Sequence, residues 1–144
     1  MKFLVTILLL TSMLMSASLA AGNPKDRTKI KHNTISSLIN GLNSENLGLK
    51  SSCAYMLGEL HISTAVIPLM KILREDKNED LRIAAALALY KIGTPMSVHA
   101  IKQSVRFDES ERVSKHCASF YSEYLKNKIN DEEKNDYLVK TARK

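Results

Sequence analysis

Apolar and polar positions fall in the same order twice along the chain. Leu49-Lys50-Ser51-Ser52-Cys53-Ala54-Tyr55-Met56-Leu57-Gly58-Glu59-Leu60-His61 is matched, 32 residues on, by Leu81-Arg82-Ile83-Ala84-Ala85-Ala86-Leu87-Ala88-Leu89-Tyr90-Lys91-Ile92-Gly93. A fainter copy follows at the same distance, with Val113, Cys117, Ala118, Tyr121 and Tyr124 in the places of Leu81, Ala85, Ala86, Leu89 and Ile92. Within each run the apolar residues recur every three or four positions, the spacing of a helix with one buried face. Self-similarity at this period predicts an all-α fold, a short solenoid of about three antiparallel helix pairs.

The segments between these runs supply a shorter first helix for each pair. In the central unit Val66, Ile67, Leu69, Met70 and Leu73 keep helical spacing from about Thr64 to Leu73. Pro68 fits near the first turn, where a proline loses only a hydrogen bond that a helix start lacks anyway. The loop Arg74-Glu75-Asp76-Lys77 has no apolar residue, Asn78 is an N-cap, and Glu79 and Asp80 complement the helix dipole. Gly93 is the left-handed stop, and Thr94-Pro95 is the next cap and first turn.

The outer units follow the same plan. Ile35, Leu38, Ile39 and Leu42 form the first short helix, with Ser44 as cap of the second; Val98, Ile101 and Val105 form the third unit's short helix, and Asp108 with Glu111 has capping-box spacing. The units span residues 34–61, 62–94 and 95–127. Residues 128–144 read as a capping helix or tail in which Ile129, Tyr137 and Leu138 cover the open end, so truncation after Asn127 is expected to expose apolar surface.

The string Leu81-Arg82-x-x-Ala85-Ala86-x-Ala88-Leu89-x-x-Ile92-Gly93 resembles the HEAT-like repeat of the phycobilisome-lyase type, over roughly Thr34 to Leu125. The resemblance implies a right-handed stack, with the second helices along a concave face that serves as a protein-interaction scaffold. It implies no particular chemistry, since one repeat fold carries many functions.

The N-terminal segment changes the picture of where the chain works. Lys2 precedes an apolar stretch from Phe3 to Met15, and Ser16-Ala17-Ser18-Leu19-Ala20 offers small residues for cleavage after Ala20, the pattern of a signal peptide over residues 1–20. The stretch is shorter than the roughly 20 apolar residues of a spanning helix and is broken by Thr6, Thr11 and Ser12. The expected product is exported, periplasmic or extracellular, with no integral membrane segment after cleavage. Composition agrees with a globular domain, at 44% hydrophobic and 25% charged residues. The net charge of +6 draws on a basic segment at 21–33, with Lys25, Arg27, Lys29 and Lys31, and on Lys140, Arg143 and Lys144 at the other end. Few aromatic residues lie among these cations to stack on bases, so nucleic acid is not an expected partner.

On a helical wheel Leu81, Ala85, Ala88, Leu89 and Ile92 face one way, while Ile83, Leu87 and Tyr90 face the other. Their neighbours across the stack are Tyr55 and Glu59 on one side and Lys115 on the other, with Lys91 at the rim. Tyr55, Glu59, Ile83, Leu87, Tyr90, Lys91 and Lys115 are therefore the candidate surface for a protein or peptide partner, an apolar patch with a polar border.

Other chemistry finds little footing. Cys53 and Cys117 sit two repeats apart, about 20 Å at ordinary helix spacing, beyond the reach of about 7 Å that a disulfide allows; both read as small buried hydrophobes. His32, His61, His99 and His116 lack metal-ligand spacing, and the His-Glu dipeptide by which some helical-repeat enzymes hold iron does not occur. No phosphate loop or oriented nucleophile is present. Arg82 and Lys50 are expected to pair with loop carboxylates such as Asp80. No catalytic residue, metal or cofactor is assigned. Three functions follow: an exported non-enzymatic adaptor; an accessory to an enzyme, such as lyase-type chromophore attachment; or a homo-oligomer using the same face.

Overall fold

The computed structural model describes residues 32–142, so the leader at 1–20 and the basic residues 21–31 lie outside the described residues. Among the described residues six α-helices follow one another: α1 (His32–Gly41), α2 (Leu47–Glu59), α3 (Val66–Glu75), α4 (Glu79–Ile92), α5 (Pro95–Phe107) and α6 (Glu111–Ala142), with a 3₁₀ turn at Ser63–Ala65 leading into α3. The fold is a helical repeat solenoid. The long helices α2, α4 and α6 lie side by side, with α3 and α5 adjacent in a second layer, and α4 touches α2, α3, α5 and α6. Leu57, Leu69, Leu73, Ala85, Leu89, Ile101, Val113 and Cys117 fill the space between the layers and are wholly or almost wholly buried.

The 32-residue period extends into the loops. Asn46, Asn78 and Ser110 cap α2, α4 and α6, accepting from the N–H of Leu49, Leu81 and Val113 at 3.0, 3.1 and 3.3 Å. Two residues upstream, Ser44, Asp76 and Asp108 accept from the N–H of those same caps. Ser44 and Asp108 thus brace the caps and are not caps themselves, because a side chain that closes a turn onto the residue two ahead leaves the helix start to that residue. Gly93 ends α4 at φ 67°, and His61 occupies the equivalent place after α2 at φ 50°.

The second helices are tied to the loops by a ladder of buried charges. Lys50 Nζ reaches Asp76 at 2.6 Å, and Arg82 reaches Asp108 at 3.0 Å while also donating to the Asp76 carbonyl. Each basic residue pairs with the aspartate 26 positions ahead, so neither pairs with Asp80, which instead holds Arg112 at 2.6 Å. At the two ends the equivalent positions are Ser44 and Ser114, both neutral. A charge half-buried there without a partner would be costly. Burial acts to raise the Asp76 carboxyl, but the Lys50 ammonium and the Asn78 N–H outweigh it and hold the group below its usual range.

Cys53 and Cys117 are both free and buried, as the repeat arithmetic requires. Burial, reinforced by Asp108, pushes the Cys117 thiol up to about 12, and burial also raises Cys53. Neither supplies thiolate near neutral pH, and thiolate is the reactive form. In the folded protein both are expected to resist a disulfide reagent at about pH 8, where an ordinary thiol of pKa about 8.5 reacts, and to react together once denaturant is added. Rapid labelling of the native state would contradict this packing.

The C-terminal expectation is corrected. No glycine or proline interrupts the chain after Tyr124, so α6 runs on without a break through residues 128–142, and Ile129 and Leu138 are each 55% exposed. The segment projects along its own axis rather than folding over the open end; the Tyr137 side chain lies outside the described residues. Truncation after Asn127 is accordingly expected to change stability by no more than about 0.5 kcal/mol, as for other exposed changes; thermal unfolding of the shortened chain checks it.

Candidate functional site

The face of the second helices is built from residues at three matched positions, four residues apart, in successive repeats. On α2 it carries Tyr55 and Glu59, on α4 Ile83, Leu87 and Lys91, and on α6 Lys115, Ser119 and Glu123. The structure brings three of these into one network. Lys91 Nζ bonds Glu59 at 2.5 Å and lies 5.5 Å from the centre of the Tyr55 ring. Below them His61 Nδ1 meets the Lys91 carbonyl at 2.6 Å, closing the end of α4 onto the turn after α2.

Electrostatics in this cluster are mutually reinforcing. The hydrogen bonds from Lys91 and Tyr55 hold the Glu59 carboxyl below its ordinary value. Glu59 in turn raises the Lys91 ammonium and the Tyr55 hydroxyl. Glu59 therefore stays ionised and Lys91 protonated across the neutral range, and the exposed Tyr55 side chain is held by both, its hydroxyl on Glu59 and its ring under Lys91.

Leu87 is half-buried and lies one helical turn before Lys91 on α4. Ile83 is also half-buried and packs onto the apolar cluster that fills the interior. Lys115 is exposed and, among the described residues, pairs with Glu111, one turn earlier on α6, at 2.8 Å. Tyr90 departs from the expected arrangement. Its ring stacks on Phe120 of α6, with centroids 5.8 Å apart, and its hydroxyl accepts from Asn127 at 3.3 Å. The reason is its place on the wheel: Tyr90 is equivalent to Gly58, and both point at the next second helix. Tyr90 is thus a strut between α4 and α6 and not part of an open surface.

Sequence reading missed Asp76 and Asp108 as partners of Lys50 and Arg82, His61 as a tie to α4, and Phe120 as the cover of Tyr90. Extending the 32-residue register into the loops would have found the aspartates. Among the described residues no three His, Cys, Asp or Glu side chains converge as metal ligands would, and no helix is long and apolar enough to cross a membrane.

A family model for HEAT repeats matches residues 35–120, more than half of the chain. The chain belongs to the HEAT-repeat family. That match carries the repeat and leaves the lyase type suggested by the sequence without further support. HEAT repeats commonly mediate protein interactions. Among solved structures, the HEAT-repeat chain is similar to human deoxyhypusine hydroxylase in complex with glycerol, with 27% sequence identity and a TM-score of 0.58. The similarity covers 66% of this chain and 33% of that one, so the chain spans about a third of that enzyme's length. No curated protein matches the sequence.

Proposed function

We propose that this HEAT-repeat chain is an exported, non-enzymatic adaptor that holds a segment of another protein along its second-helix face, with Leu87 at the centre of the contact. The observation that carries this reading is the placement of Leu87: a half-buried apolar side chain one turn before Lys91 on α4, at the repeat position of Tyr55, whose ring Lys91 covers while it pairs with Glu59. An apolar centre within a polar rim is the ordinary anatomy of an interface. Because Tyr55 and Lys91 are already held by Glu59, less side-chain freedom is lost on binding than from a loose surface. The leader-like residues 1–20 support export.

Leu87→Asp is the direct test, since it sets a carboxylate at the centre of the contact. Affinity capture from the exported fraction is expected to recover a partner with wild type and to lose it with the variant. A central contact is worth 2 kcal/mol or more, so affinity should fall about 30-fold, with far-UV circular dichroism unchanged. Recovery of only the chain itself would move the reading to self-association. Equal recovery by both proteins would remove the partner from this face.

A further inference from the structure

The two layers of the stack differ in how their charges are answered. On the second helices, cations and carboxylates meet across and along the helices, as Lys91 with Glu59, Arg112 with Asp80 and Lys115 with Glu111. On the outward face of α3 and α5, Lys71, Arg74, Lys102 and Arg106 stand against Glu75 at the end of α3 and Glu109 just beyond α5. All four cations are exposed. None of them has a carboxylate partner among the described residues, and Lys102 rests 6.0 Å from the centre of the Tyr121 ring.

Apolar side chains protrude among these cations. Ile67 is 63% exposed in the first turn of α3, and Met96 and Phe107 are 52% and 73% exposed at the two ends of α5. Phe107 lies eleven positions after Met96 on the helix, about 16 Å at 1.5 Å per residue. A groove of about 920 Å³ between α3 and α5 is lined by Arg74, Glu75, Lys77, His99, Phe107 and Glu109, so of these protruding residues it reaches Arg74 and Phe107.

We propose that the outward face of α3 and α5 docks on an anionic lipid bilayer, with Lys71, Arg74, Lys102 and Arg106 among the headgroups and Ile67, Met96 and Phe107 reaching below them. Clustered cations supply the attraction to anionic lipid, and protruding apolar residues supply the burial that charge alone does not. An acidic peptide lying in the groove would meet Arg74 and Phe107 but leave Ile67 and Met96 in water. The bilayer answers all seven residues at once. This inference stands on the opposite layer from Leu87 and can fail without affecting the adaptor reading.

Vesicle co-sedimentation tests it, using the chain at full length and lacking residues 1–20, so that partitioning by the apolar leader is separated. Binding is expected on vesicles of phosphatidylglycerol mixed equally with phosphatidylcholine, and not on phosphatidylcholine alone. It should weaken sharply as salt rises to about 1 M, where screening acts over about 3 Å. Lys71→Glu with Arg106→Glu should lower partitioning about 30-fold or more, from roughly fivefold for each cation near the surface. Phe107→Ser, at an exposed site that leaves folding intact, should lower it about tenfold. Equal binding to neutral vesicles, or binding that survives the charge reversals, would overturn the proposal. So would binding to soluble polyglutamate as tight as to the vesicles with Phe107→Ser without effect, which would assign the face to an acidic polypeptide.

Discussion

Asp108→Ala is expected to destabilise the stack by about 3 kcal/mol, because removing one partner of a buried pair leaves the other charge unanswered. The Asp108 and Arg82 side chains are only 7% and 13% exposed. Arg82 already carries one buried nitrogen, Nε, without a partner, and its remaining bond is to the Asp76 carbonyl. For a domain of about 100 residues that loss lowers Tm by roughly 15 °C. Asp108 also braces Ser110, the cap of α6, so the damage reaches the start of the last helix. Replacing both partners together, with Arg82→Met and Asp108→Leu, should recover most of the loss, since a well-packed apolar pair is often as stable as a buried ion pair. Arg112→Ala provides the contrast. Its side chain is 55% exposed, and a solvent-exposed pair adds little to stability, so its loss should be much the smaller. Denaturant unfolding of the four proteins checks the set; an Asp108→Ala protein as stable as wild type would show that the ladder carries no stability.

The second large effect lies where two helices approach most closely. A Cβ placed on Gly58 would stand 2.8 Å from the Ala88 Cα and 3.1 Å from its Cβ. The obstruction is backbone, which cannot swing aside as a side-chain end would. Alanine is better than glycine inside a helix by about 1 kcal/mol, so propensity alone predicts that Gly58→Ala stabilises. Overpacking costs typically 1–3 kcal/mol and is expected to win, leaving Gly58→Ala less stable than wild type by about 1 kcal/mol. Gly58→Val adds two methyl groups at the same crossing, and a loss of about 3 kcal/mol or more is expected. Thermal unfolding distinguishes the outcomes: a raised Tm for Gly58→Ala would mean that α2 and α4 stand farther apart than the structure has them.

Gly58 also explains what the sequence discloses and what it hides. In the sequence it is a residue of the first unit's second helix, at the position Tyr90 fills in the next unit, and only the neighbouring helix reveals why no side chain is tolerated. The period was legible because each repeat must bury the same face against the last one, which places Leu57 and Leu89 in one interior cluster. The caps were offset from expectation by two residues at Ser44 and Asp108, since serine and aspartate both close turns and cap helices and the choice depends on backbone geometry. The end of the chain was harder still. Nothing in Ile129 or Leu138 distinguishes a helix that folds back from one that continues, and the decision rests on the uninterrupted helical backbone after Tyr124.

The candidate surface was legible in the same uneven way. Tyr55, Glu59, Ile83, Leu87, Lys91 and Lys115 follow from the wheel, because the repeat puts them at equivalent or adjoining positions. Their interactions do not follow, since Lys91 had Glu59 and Glu123 within the same register and bonds Glu59. Tyr90 was placed on the open side because a wheel drawn for one helix ignores the next, and here the next helix brings Phe120 over its ring.

Photo-cross-linking from position 87 in the native host tests the central claim most directly, with a photoreactive phenylalanine analogue replacing Leu87 and a second protein carrying it at position 133 on the exposed end of α6. The account predicts an adduct with a different protein from position 87 and none from position 133. No adduct from position 87, or an adduct only with another copy of this chain, would contradict the reading of the second-helix face as the seat of a protein partner.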